Sequence, residues 1–159
     1  LGLEPVDCLC HVLAEEACNV TMIDFITCDE DIERILRAPF ASVISDSLYP
    51  TEGLPHPRVY GTFTRILETF VRERHALTLP EAVQRMTALP AQVLRLRGKG
   101  RIAAGMDADL NVFDPAAVHE RATWEQPAQE SEGMDAVFVG GIPAILHGAF
   151  TGAANGQVL

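Results

Sequence analysis

Between residues 20 and 45 two apolar runs are separated by one short helical pattern, and this spacing constrains the fold more than any other feature of the chain. Val20 to Ile26 is β-rich and largely apolar, as a strand buried on both faces of a parallel sheet is. Thr27-Cys28-Asp29-Glu30 reads as a capping box, with Thr27 as N-cap and Glu30 reaching back. Asp29 to Arg37 is then a short helix stopped before Pro39, and Ala41 to Ser45 is the next strand. A crossover of about a dozen residues joins parallel strands rather than a hairpin. Thr27 and Asp46 are therefore expected at the carboxyl ends of neighbouring strands, where ligand sites of α/β sheets and barrels lie.

Asp46 stands between Ser45 and Ser47 and opens onto a loop that runs past Tyr49 to Pro55-His56-Pro57-Arg58. An acid at the end of a buried strand is a candidate for proton transfer. It is equally a residue that caps the next turn. His56, stiffened by a proline on each side, suits a pocket wall or simply a rigid loop.

The helical period returns around the loop. Val6, Leu9, Cys10, Leu13, Ala14 and Ala17 form an apolar stripe on a helix over 5–17, and Phe63, Ile66, Leu67, Phe70 and Val71 form another. Thr78-Leu79-Pro80-Glu81 is a helix start with a capping Thr, an early Pro and a Glu three residues on. Leu89-Pro90 breaks that helix, and a shorter one from Ala91 is expected to stop at Gly98. Strands follow: 101–104, then Leu110 to Phe113 after an Asp107-Ala108-Asp109 turn, then a hairpin of 136–139 and 142–146 about Gly140-Gly141. Residues 116–133 read as an irregular polar excursion, and 148–156 as surface turns.

Composition excludes several classes. The 159 residues carry a net charge of −10, and the only basic run is Arg95, Arg97, Lys99 and Arg101, so no electrostatic footprint for nucleic acid is present. No apolar run reaches membrane-spanning length, so no membrane partner is expected. The four cysteines, Cys8, Cys10, Cys18 and Cys28, form no C-x-x-C pair and suit a reducing cytoplasm. Cys8, Cys10 and His11 lie at helical positions that do not converge on a metal. The start at Leu1 instead of Met hints at a fragment or a processed start. Two strand–helix units cannot close an eight-stranded barrel, which takes about 250 residues. The chain is thus either a small open α/β domain with a β appendage or the tail of a larger fold.

Residues 86 to 115 carry a resemblance. Met86-Thr87-Ala88-Leu89-Pro90-Ala91, Gly100-Arg101-Ile102-Ala103-Ala104-Gly105-Met106-Asp107-Ala108-Asp109-Leu110 and Val112-Phe113-Asp114-Pro115 resemble the C-terminal signature of the amidohydrolase superfamily. Ser45-Asp46-Ser47, Gly53-Leu54-Pro55-His56-Pro57-Arg58 and Gly61-Thr62-Phe63 are similar to a stretch of the N-acyl-D-amino-acid deacylases, the D-aminoacylases. The ending, Gly141-Ile142-Pro143, Gly148-Ala149-Phe150-Thr151-Gly152 and Gly156-Gln157-Val158-Leu159, is similar to theirs. Ser47 stands where that group often has Gly. The resemblance covers the whole chain but only about the last third of a family member.

The resemblance implies an α/β fold: residues 1–97 are the last strand–helix units of a TIM (β/α)8 barrel, and 98–159 are strands of a small β-sandwich. It implies zinc as cofactor, with Asp46 touching the metal centre and acting as general base on the metal-bound water, then as acid toward the leaving amine. The family's H-x-H pair lies upstream and none occurs here. The chain by itself is therefore expected neither to hold catalytic zinc nor to hydrolyse amides. Its partners would be an N-acyl amino acid and the missing N-terminal part of the barrel. Arg58 would take the substrate α-carboxylate, or tie the loop to the barrel rim through an ion pair. His56, Thr27 and Cys28 would line the pocket, with capping the competing role for Thr27. Two other readings stay open. One is an amidohydrolase for cyclic amides, akin to dihydropyrimidinase or dihydroorotase. The other is a non-catalytic remnant acting as an assembly module.

Overall fold

A computed structural model describes residues 1–20, 22–50 and 53–158. Thr21 in the first apolar run, Thr51 and Glu52 in the loop, and the final Leu159 of the G-Q-V-L ending lie outside the described residues. Five α-helices precede a four-stranded sheet: α1 (Pro5–Glu15), α2 (Asp29–Arg37), α3 (Arg58–Arg65), α4 (Leu79–Met86) and α5 (Ala88–Val93), then β1 (Leu110–Phe113), β2 (Met134–Val139), β3 (Ile142–Leu146) and β4 (Ala149–Phe150). Helix α3 runs without a break into a π-helical stretch, Ile66–Glu73.

Three helix starts follow the sequence closely. Pro5 opens α1, where its missing N–H costs nothing. At α4 the capping box forms in full: Thr78 Oγ1 accepts from Glu81 N–H, and the Glu81 carboxylate accepts from Thr78 N–H at 2.8 Å. At α2 the helix starts at Asp29 as expected, but the capping box does not form. The N-cap is Cys28, not Thr27, and the Cys28 thiol donates to Asp31 Oδ2 at 3.4 Å. Pro90 does not end α4. The break comes at Thr87, and Pro90 sits inside the first turn of α5, where its lack of a donor is harmless.

The two expected parallel strands do not form a ladder. Residues 22–28 and 41–50 are extended or irregular, with no strand hydrogen-bonded beside them among the described residues. A parallel pair is weak without neighbours, and the second run spends its hydrogen bond elsewhere: Val43 N–H donates to Arg85 O at 3.0 Å. The strand expected over 101–104 is likewise a turn region. The β-rich end is one antiparallel sheet in the order β1-β2-β3-β4, rather than two stacked sheets. Its central hairpin turns on Gly140 and Gly141, both at positive φ, as a two-residue turn requires. Strand β4 lies in what the sequence presents as surface turns.

The core forms where α2, the α3–π helix and α4 meet. Leu36, Val43, Ile66, Leu67, Phe70, Ala76, Leu77, Ala82 and Val118 are buried together, with Phe113 and Met134 of the sheet packed against them. The core thus extends across position 97. Arg85, almost fully buried, donates to the carbonyls of Leu36, Arg37 and Ala38. These are orphan acceptors at the end of α2, so the cation satisfies what the helix leaves open.

The segment between β1 and β2 is strapped to the α3–π helix. Arg72 donates to Pro115 O and Val118 O, and Glu68 accepts from His119 Nδ1 and from Glu120 N–H, both at 2.6 Å. Ser131 Oγ and Thr64 Oγ1 share a hydrogen bond of 2.7 Å. Gly61 has a reason in this strap: the Glu120 side chain lies on it, so that a Cβ would sit 2.3 Å from Glu120 Oε1.

Candidate active site

Asp46 has φ +48°, a left-handed conformation that Asp tolerates better than most residues. The backbone turn sends its carboxylate outward, 71% exposed, at the start of the loop. Arg58 meets it from the first turn of α3, with Nη2 3.2 Å from Asp46 Oδ2. The partner of Arg58 in this ion pair is the candidate catalytic acid itself. Arg58 Nε is buried and has no hydrogen-bond partner among the described residues; the same is true of Ser47 Oγ. Two polar groups thus remain unsatisfied beside the acid.

His56 joins this pair through the backbone. Its Nδ1 lies 3.0 Å from the N–H of Arg58, which can only donate, so Nδ1 carries the lone pair and Nε2 the proton. Burial lowers its pKa first, and the Arg58 charge lowers it further, so the ring stays neutral at physiological pH. The His56 contact satisfies a helix N-terminal donor that Pro57 at the N-cap leaves open.

Asp46, His56 and Arg58 are therefore brought together. Thr27 and Cys28 are both exposed at the entry to α2, and no hydrogen bond or ion pair between described residues joins either to Asp46. Their segment approaches through Phe25, whose ring centroid is 4.9 Å from that of Trp124; the Trp124 ring is in turn 4.8 Å from His56, edge to face. Trp124 and Ser47 are the site residues that sequence reasoning passed over. Trp124 sits in a polar, irregular segment, and only its being a lone aromatic there would have drawn attention to it.

Among the described residues no three His, Cys, Asp or Glu side chains converge on a point, and the site offers a single carboxylate. The described residues by themselves do not fit a zinc site, whose usual complement is three or four ligands. The D-A-D motif is occupied elsewhere: Asp107 and Asp109 pair with Lys99, and Asp109 Oδ1 accepts from Gly140 N–H at 2.8 Å. Lys99 and that N–H hold Asp109 below the usual carboxylate range. This motif pins the central hairpin to the turn before β1.

The model of the amidohydrolase family matches residues 26–144. An N-acyl-D-glutamate deacylase of Alcaligenes xylosoxydans xylosoxydans is 44% identical over 128 residues, 80% of this chain and 26% of the relative. A D-aminoacylase of the same organism is 42% identical over 137 residues, 86% of this chain and 28% of the relative. The chain thus spans about a quarter of the length of the curated relatives it matches. The crystal structure of a D-aminoacylase superposes with a TM-score of 0.77 at 38% identity, covering 81% of this chain and 27% of that one. The N-acyl-D-glutamate deacylase of Bordetella bronchiseptica, solved with zinc and a phosphonate inhibitor, superposes at 0.71 with 43% identity, over 74% of this chain and 25% of that one. The chain belongs to the amidohydrolase family.

Proposed function

We propose that the chain is the C-terminal part of a zinc-dependent N-acyl-D-amino-acid deacylase and that Asp46 is its general base and acid. In this reading residues 1–97 belong to the end of a TIM barrel and 98–159 to a β-sandwich, and the remaining metal ligands come from the N-terminal part of the barrel. The observation that carries the reading is the Asp46–Arg58 pair, set on a left-handed turn within a segment matched by the family. Strained backbone of this kind clusters at functional sites.

Zinc, when bound, supplies a polarised carbonyl and a water of lowered pKa. Asp46 takes one proton from the attacking water as its oxygen bonds to the acyl carbon. The C–N bond then breaks, and the same proton passes from Asp46 to the leaving nitrogen. A carboxylate and a free D-amino acid result. Arg58 offers the terminal nitrogens of its guanidinium to the substrate α-carboxylate, beside their contact with Asp46. His56, neutral, fixes the start of α3 and so the reach of Arg58. Thr27 and Cys28 line the outer pocket from the α2 entry. The isolated 159-residue chain, lacking the other ligands, is inactive.

The test is zinc-supplemented hydrolysis of paired N-acetyl-D- and N-acetyl-L-amino acids by the polypeptide as its gene encodes it. Activity confined to the D series is expected, with Asp46→Asn lowering kcat by about 10²- to 10⁴-fold, the usual scale of general acid–base catalysis, while zinc is retained. Full activity in Asp46→Asn, or none on either series despite bound zinc, rejects the reading.

A further inference from the structure

Trp124 is presented in a way that ordinary packing does not require. It lies in a tight turn closed by two hydrogen bonds, Thr123 N–H to Gln126 O at 3.2 Å and Gln126 N–H to Thr123 Oγ1 at 3.0 Å. The turn is anchored on both sides by buried residues, Ala122 and Pro127. Between these anchors the indole itself stays 46% exposed. A large aromatic ring held half in water on a rigid tip forgoes much of the burial it could contribute to a core. What it touches instead are Phe25, ahead of Thr27, and His56, ahead of Arg58.

We propose that Trp124 is a positioning residue of the Asp46 site: seated between Phe25 and His56, it fixes the His56 ring and thereby the orientation of Arg58 toward Asp46. The proposal rests on the substrate role given to Arg58 above. The chain of contacts is continuous. Trp124 packs on the His56 ring at 4.8 Å, His56 Nδ1 accepts from Arg58 N–H at 3.0 Å, and Arg58 Nη2 lies 3.2 Å from the Asp46 carboxylate. Each contact restricts the next. Pro57 restricts the His56 backbone, and the indole restricts the side-chain torsions that turn the ring. The strap that carries Trp124 is itself tied to α3 through Ser131 and Thr64, so tip and loop are held to one helix.

Trp124 is the sole tryptophan, so its emission reads the contact directly. His56→Ala is expected to move the emission maximum to longer wavelength as the indole gains water, and an unmoved spectrum overturns the proposal. In the gene-encoded enzyme Trp124→Ala should raise KM for an N-acetyl-D-amino acid by about five- to tenfold, the scale of one lost interaction, with kcat within about twofold. Trp124→Phe should restore most of the loss. In an Arg58→Ala background, which raises KM on its own, Trp124→Ala should add nothing, because both act through one contact. Equal KM effects in both backgrounds overturn the positioning role while leaving the reading of Arg58 intact. An Arg58→Ala variant with unchanged KM rejects that reading instead.

Discussion

Asp46 and Glu120 show how differently two carboxylates of one small chain are treated. Asp46 is turned out to solvent against Arg58, whereas Glu120 is folded under the strap, against Gly61 and 3.6 Å from Arg65. Burial pushes Glu120 above the usual glutamate range, and the Arg65 charge offsets this only in part. A carboxyl whose folded pKa lies above its unfolded one keeps its proton longer in the native state. Stability therefore falls as pH rises through the ordinary glutamate value toward the raised one. We expect the thermal midpoint to show this decline as pH rises above the ordinary glutamate value, and Glu120→Gln to remove it. An identical slope in the two proteins would show that Glu120 is not the group responsible. This shift was not legible in the sequence, because it comes from burial against the helix at Gly61, far away along the chain.

At the scale of elements, local chemistry explains some boundaries and tertiary contacts explain the others. The α4 capping box was legible at Thr78 and Glu81 because both partners lie within four residues. Thr78→Ala should lower stability by about 1 kcal/mol, measurable as a shift in urea midpoint. The Thr78 hydroxyl and the Thr78 N–H, both donating to the Glu81 carboxylate, hold that carboxyl below its usual range. The stability they add is complete above the ordinary glutamate value and is lost as pH falls through the depressed one. The box expected at α2 from Thr27 and Glu30 does not form: Thr is the better cap by its chemistry, yet the helix starts one residue later than a Thr27 cap requires, with Cys28 at the N-cap. Gly133 closes the strap at φ +88°, with a Cβ position 2.6 Å from the backbone of Ala117 and Val118. Gly133→Ala should therefore cost about 1–3 kcal/mol, with the loss seen first in exchange of the His119 and Glu132 amides that bridge the strap.

For the whole molecule the contrast lies between a small core and a large exposed apolar surface. Phe70, 2% exposed, is its centre, and Phe70→Ala should cost about 3–5 kcal/mol in chemical denaturation. Away from that core Phe25, Phe40, Ile44, Leu48 and Leu54 are each mostly exposed, all in the first third of the chain. Apolar side chains left in water in this number favour association. Light scattering on the 159-residue chain should show mass rising with concentration, and a constant monomer mass would contradict the expectation. Among the described residues no helix is long and apolar enough to cross a membrane, so these side chains do not mark a helical span.

The sequence by itself determined the positions of most helices, the hairpin about Gly140-Gly141 and the family. Each depends on periodicity, on turn residues, or on a motif whose parts lie close along the chain. The extended runs before Thr27 and Asp46 were expected as strands because their residues suit a buried sheet, yet a strand exists only where a neighbour accepts its hydrogen bonds. Tertiary structure alone decided that Val43 bonds to Arg85, that Glu120 covers Gly61, and that Trp124 reaches His56 across sixty-eight positions of chain. Contacts of that separation depend on how elements dock, which no local pattern of residues encodes.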